Sequence, residues 1–179
     1  MKIFKISVLL FIVVGCSHSM TIKKIQTEKT SATVLANKTV AIVINSDDFP
    51  DESKSSVAAH TYHFKGQQKR IVNALRVKLG NTVKDVKIFI DEEPNGVYDF
   101  YFYPEVTIKM VDDFFTLACL INYRLKISNN SMKSVVAEEK GKKSFFAVSE
   151  EGASEGCTDQ LGILFEKVTM KAIISIGNP

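Results

Sequence analysis

Tryptophan is absent from this 179-residue sequence, proline occurs four times and cysteine three times. Three cysteines cannot build a disulfide-dense mini-protein, so a hydrophobic core must hold the fold. An excess of one charge is also missing. Lys and Arg number 23 against 20 Asp and Glu, a formal +3, which excludes a strongly basic nucleic-acid binder and an acidic solvating chain. The sequence holds no G-x-S-x-G, no S-x-x-K and no phosphate-binding glycine loop. The expectation is therefore a non-enzyme with no catalytic residue, no cofactor, no metal and no nucleic-acid partner. With 45% hydrophobic and 24% charged residues, the composition is that of a globular protein rather than a disordered one.

The long apolar runs of a membrane-spanning protein are lacking as well, apart from the first residues. Lys2 and Lys5 flank a run from Ile6 to Val14 that is interrupted only by Ser7. Nine residues of helix rise about 13.5 Å, well short of a bilayer's hydrocarbon core of roughly 30 Å. The stretch has the size and flanks of a signal-peptide core. It ends in Val13-Val14-Gly15-Cys16, which resembles the lipobox of bacterial lipoproteins. That resemblance implies cleavage after Gly15 and lipidation of Cys16. Several acyl chains on one cysteine would anchor the protein firmly, where a single chain holds only marginally. Ser17, standing where such families use Asp to retain a protein in the inner membrane, implies the periplasmic face of the outer membrane. Loss of residues 1–15 removes Lys2 and Lys5 and brings the formal charge to +1.

Residues 16–38 are polar, rich in Thr, Ser and Lys, and without a regular apolar stripe. They are expected to form the lipidated N-terminus and a flexible tether of roughly 25 Å mean span. A domain is expected over 39–179. Thr39–Ile44 reads as a buried strand and 45–56 as a loop. Residues 57–79 read as a helix with an apolar stripe at Phe64, Ile71, Leu75 and Leu79, stopped by Gly80. Val86–Ile90 reads as a strand, followed by long strands over 98–110, 115–127 and 133–148. The turns between them fall at Asp112-Asp113 and Asn129-Asn130-Ser131. Residues 149–156 read as a polar loop, and Thr158 or Asp159 can cap a closing helix that carries Leu161, Leu164, Phe165, Val168 and Ala172. The order β-α-β-β-β-β-α predicts an α+β two-layer sandwich, a mainly antiparallel sheet with two amphipathic helices on one face.

This order, the lipobox and the runs NYRLKISN and SVVAEEKGKKSF resemble small envelope lipoproteins: the YajG-like lipoproteins, the lipopolysaccharide-assembly lipoprotein LptE and auxiliary lipoproteins of ABC transport. The resemblance implies an accessory or scaffold in an outer-membrane assembly or transport complex, with an envelope protein as partner. The alternative is a lipid-anchored binding module for a small ligand, glycan or lipid.

Four groups of side chains were weighed for chemistry. Asp47, Asp48, Asp51 and Glu52 lack the alternation and glycine of a calcium loop, so a solvated loop leading into a helix N-terminus is expected. His60 and His63 would share a helical face, yet no H-E-x-x-H or C-x-x-C supplies further metal ligands, and His18 falls in the tether. Cys119 and Cys157 are available for a disulfide in an oxidising compartment. A buried free Cys119 beside a separate exposed Cys157 remains the other arrangement. Tyr98, Tyr101 and Tyr103 are candidates for a partner surface, with an open strand edge over 98–110 able to accept a partner strand.

Overall fold

Alternation of apolar residues decides most of the architecture. The computed structural model describes residues 16–27, 35–80, 82–113, 116–129, 134–145 and 149–177. The signal segment with Val13, Val14 and Gly15, and the expected turn at Asn130-Ser131, lie outside the described residues. The chain runs β1 (Cys16–Thr21), β2 (Thr39–Ile44), β3 (Glu52–Val57), β4 (His60–Lys65), α1 (Gln67–Leu79), β5 (Asp85–Ile90), β6 (Phe100–Asp113), β7 (Thr116–Asn129), β8 (Ser134–Phe145) and α2 (Glu150–Gly177). The fold is α+β, with one five-stranded mixed sheet in the order β5-β2-β6-β7-β8 and one three-stranded sheet in the order β1-β4-β3.

The strands β6, β7 and β8 form an antiparallel meander, and β2 joins it in parallel to Phe100–Phe102 and to β5. Phe100, Phe102, Val106, Ile108 and Met110 of β6 face the core beside Ile121, Tyr123, Leu125 and Ile127 of β7. The same core takes Ile71, Leu75 and Leu79 of α1 and Leu161, Phe165 and Val168 of α2. Both helices therefore cover one face of the sheet. Tyr123 and Phe165 stack with centroids 5.7 Å apart. Gly141 of β8 lies so close to α2 that a Cβ there would run into Gln160 and sit 3.1 Å from the Leu164 side chain.

Three expectations are corrected. The stretch 57–79 is not one helix. A hairpin occupies its first part, Tyr62 and Phe64 alternate into the core, and α1 starts only after Gly66, whose φ of 79° suits glycine. Residues 52–56, expected as loop, form β3. Residues 16–38 are not a free tether throughout. Cys16–Thr21 pairs in parallel with β4, and Met20, Ile22, Ile25 and Leu35 are buried. Burial of four apolar side chains outweighs the polar average of the segment.

The acidic loop meets its helix. Asp51 accepts the backbone N–H of Lys69 on its carboxylate, and its carbonyl accepts Gly66 N–H. A negative charge thereby sits at the positive end of α1. Gln67 and Gln68, both buried, donate to the carbonyls of Pro50 and Phe49 and fix the loop to the helix.

Candidate functional site

Strand periodicity puts Cys16, His18 and Met20 on one face of β1, and parallel pairing sets them beside His60, Tyr62 and Phe64. Met20 and Phe64 enter the core, whereas the upper part of this face opens into a cavity of about 400 Å³. Met20, Val57, Met110 and Leu117 give it apolar walls. His18, His60, Tyr62, Asp112 and Glu150 supply the polar groups. Few polar groups set among apolar walls is the usual composition of a small-ligand site.

The two imidazoles face each other. His18 Nε2 lies 2.9 Å from His60 Nδ1, and His18 Nδ1 lies 2.9 Å from the Glu150 carboxylate. A carboxylate can only accept, so His18 carries its hydrogen on Nδ1. In the neutral ring Nε2 then holds the lone pair and accepts from His60 Nδ1. The Tyr62 ring stacks on His18 at 5.0 Å and fixes the plane of that imidazole. Burial raises the Tyr62 phenol above its ordinary pKa, and the Asp112 carboxylate adds to the rise.

The hairpin that carries His60 turns through Ala58-Ala59, with Ala58 at φ 51°. It leans on the main sheet through Ser55, whose hydroxyl donates to the Met110 carbonyl and accepts the Met110 N–H. That contact brings β3 and β4 against the end of β6 and closes one wall of the cavity.

The expected helical pair His60 and His63 is overturned. In a strand, residues three apart point to opposite faces, so His63 turns away from the cavity. The true neighbour of His60 is His18, 42 residues earlier. The only sequence signal for this was the alternation Cys16-x-His18-x-Met20.

Cys16 is exposed and takes no part in a disulfide. Cys119 and Cys157 are joined in a disulfide that links β7 to α2, with Cα atoms 5.8 Å apart. The tyrosine strip does not form the expected surface. Tyr98 precedes β6 and is buried, packed edge-on to Phe89 at 5.7 Å and to Tyr101 at 5.9 Å. Tyr101 and Tyr103 are half-buried, the latter under the Lys126 ammonium at 5.6 Å. The edge of β6 expected to be open over 98–110 is occupied at two places, by β2 at Phe100–Phe102 and by the Ser55 hydroxyl at Met110. Among the described residues, no three His, Cys, Asp or Glu side chains converge as a metal-binding set.

No protein-family model matches the sequence, and no curated protein matches it. Solved structures give distant likenesses. Protein XCC0632 from Xanthomonas campestris, of the DUF330 family model, is 8% identical with a TM-score of 0.48, over 88% of this chain and 91% of that one. The PelC dodecamer from Paraburkholderia phytofirmans is 16% identical with a TM-score of 0.37, over 79% and 92%. Hypothetical protein CT253 from Chlamydia trachomatis is 10% identical with a TM-score of 0.37, over 79% and 96%.

Proposed function

We propose that the protein is an envelope lipoprotein, anchored through Cys16 at the periplasmic face of the outer membrane. There it acts as a non-enzymatic accessory or scaffold in an assembly or transport complex with an envelope protein partner. The observation that carries this reading is the placement of Cys16. It is exposed, it opens β1, and its register partner is His60. Acyl chains on that thiol would extend from the end of a paired strand, and Met20 and Ile22 fasten that strand into the core within six residues. Such a protein would stand at a fixed height and orientation over the lipid, which suits a scaffold that presents one surface to a partner. Among the described residues no helix is long and apolar enough to cross a membrane.

The test is metabolic labelling with an alkyne fatty acid, followed by fractionation of wild type and Cys16→Ala. The variant should lose the label and leave the membrane fraction with unchanged circular dichroism. A variant that stays wholly with the membrane would remove the anchor from this account. Crosslinking in cells before detergent purification should then recover one envelope protein in stoichiometric amount.

The cavity beside His18 and His60 favours a second reading, a lipid-anchored module that binds a small ligand, glycan or lipid. Recovery of the protein with a bound small molecule and without a protein partner would favour it over the scaffold.

A further inference from the structure

We propose that the cavity binds a cuprous ion between His18 Nε2 and His60 Nδ1. The two nitrogens already face each other at 2.9 Å. Two imidazole ligands on one metal, each about 2.0 Å from it, sit roughly 3.3 Å apart at a tetrahedral angle. In line on one ion the same two nitrogens would sit roughly 4.0 Å apart, so the rings must part by roughly 0.4 Å if they also swing to the tetrahedral angle, and by about 1 Å if they do not.

The tautomers suit this. Glu150 holds the hydrogen of His18 on Nδ1 and leaves the Nε2 lone pair aimed at His60. A carboxylate behind a metal-binding imidazole plays this orienting part in many metal sites. His60 frees its own lone pair by moving its hydrogen from Nδ1 to Nε2, so no net proton is released. Tyr62, stacked on His18, keeps the donor ring in plane.

The choice of metal follows from what else lines the cavity. Zinc sites use three or four protein ligands from Cys, His, Asp and Glu, and no such set of three converges among the described residues. Two methionines, Met20 and Met110, do line the space and bring thioether side chains to it. Thioether and imidazole together select Cu⁺ over harder divalent ions. The proposal does not depend on what residue 16 carries, lipid or thiol.

The experiment uses the full chain purified in detergent, as it stands and with Cys16→Ser, so that any contribution of a free thiol is separated out. Each is titrated without oxygen against Cu⁺ held by the coloured chelator bicinchoninate. Both should withdraw one equivalent. His60→Gln should withdraw it at least tenfold more weakly, and Met110→Leu should weaken it by a smaller factor. Zinc at equal concentration should not displace the copper. The proposal is overturned if the Cys16→Ser chain takes no copper, if His60→Gln binds as well as its parent, or if zinc displaces the ion. Should His60→Gln fail to fold, X-ray absorption on the unsubstituted Cu⁺ complex decides. Nitrogen scatterers at about 2.0 Å together with sulfur support the site, and a sulfur-only shell refutes it.

Discussion

Lys78 of α1 and Glu166 of α2 form an ion pair that ties the two helices together above the sheet. The pair is unequal. The Lys78 side chain is 2% exposed, whereas that of Glu166 is 34% exposed. Removing one partner of a buried pair costs about 3–5 kcal/mol when the survivor is left buried and uncompensated. Glu166→Gln should therefore lower stability by an amount in that range, because the buried Lys78 ammonium has no other ion-pair partner among the described residues. Lys78→Met should cost less, since the Glu166 side chain as a whole stays 34% exposed, although its Oε1 is buried, and the thioether fills the space. Adding Glu166→Gln on top of Lys78→Met should then change stability by less than about 1 kcal/mol. Urea unfolding of the four proteins measures this, and equal losses for the two single variants would refute the asymmetry.

The Cys119–Cys157 bridge spans 38 residues. Closing a loop of that length removes enough freedom from the unfolded chain to contribute about 3–4 kcal/mol in the chain-entropy account. Both cysteines are fully buried, so replacing them also leaves a small void. The variant carrying Cys119→Ala and Cys157→Ala should unfold at clearly lower urea, with a loss of about 2–5 kcal/mol. Reduction of the unfolded wild type, followed by refolding under reductant, should reproduce most of that loss. No difference between oxidised and reduced protein would show that packing alone fixes α2 on β7.

Asp99 ties the starts of β2 and β6. Its carboxylate accepts the Thr39 backbone N–H at 2.8 Å and the Thr39 hydroxyl at 2.9 Å, with Lys38 Nζ at 3.3 Å. The Thr39 N–H first, then the hydroxyl and Lys38, hold its pKa below the ordinary carboxylate value. The folded state thus binds the proton less readily than the unfolded chain. The stabilisation is complete above the unfolded value of about 3.9 and fades as pH falls through the lower folded value. Asp99→Asn should lower the urea midpoint at neutral pH, and its deficit should shrink on acidification below about pH 4. A deficit that stays constant down to about pH 2 would assign the effect to geometry rather than charge.

The long amphipathic stretches were legible. The alternation Ile121-x-Tyr123-x-Leu125-x-Ile127 and the stripe Leu161, Leu164, Phe165 and Val168 carry their period in the residues themselves; β7 lies where its period puts it, whereas α2 carries its stripe but begins at Glu150, through the 149–156 stretch expected as a loop. The hairpin of β3 and β4 was not legible, for two physical reasons. Glu52–Val57 is polar on both faces over most of its length. Its turn is Ala58-Ala59, and alanine favours helix and carries no turn signal. β1 was hidden similarly, since Cys-Ser-His-Ser-Met-Thr has a single β-branched residue, Thr21, at its end. The cavity lies over the face that these two hidden elements share, so neither the pairing of His18 with His60 nor the reach of Glu150 to His18 could be read from spacing. Tyr98 misled for a local reason. It stands just before β6 begins, and there the chain lays its ring over Phe89 instead of continuing the alternation.

Ala58 is the strained residue of that hairpin. Its φ of 51° lies in the left-handed region, which costs an L-residue with a Cβ roughly 1–2 kcal/mol. Two-residue hairpin turns ordinarily place Gly or Asn at such a position. Ala58→Gly should remove the steric cost and give back part of the gain as unfolded-chain entropy, for a net stabilisation of about 0.5–1 kcal/mol. The substitution also trims a wall of the cavity, because Ala58 lines it one turn from His60. A strained backbone beside a cavity is kept only when its surroundings over-determine it. Here Ser55 on Met110 and the register of β3 with β4 do so. The urea midpoint of Ala58→Gly should therefore rise while copper uptake weakens, as the hairpin that aims His60 becomes looser. A lower midpoint would mean that the hairpin gains more from the alanine methyl than it loses to the backbone.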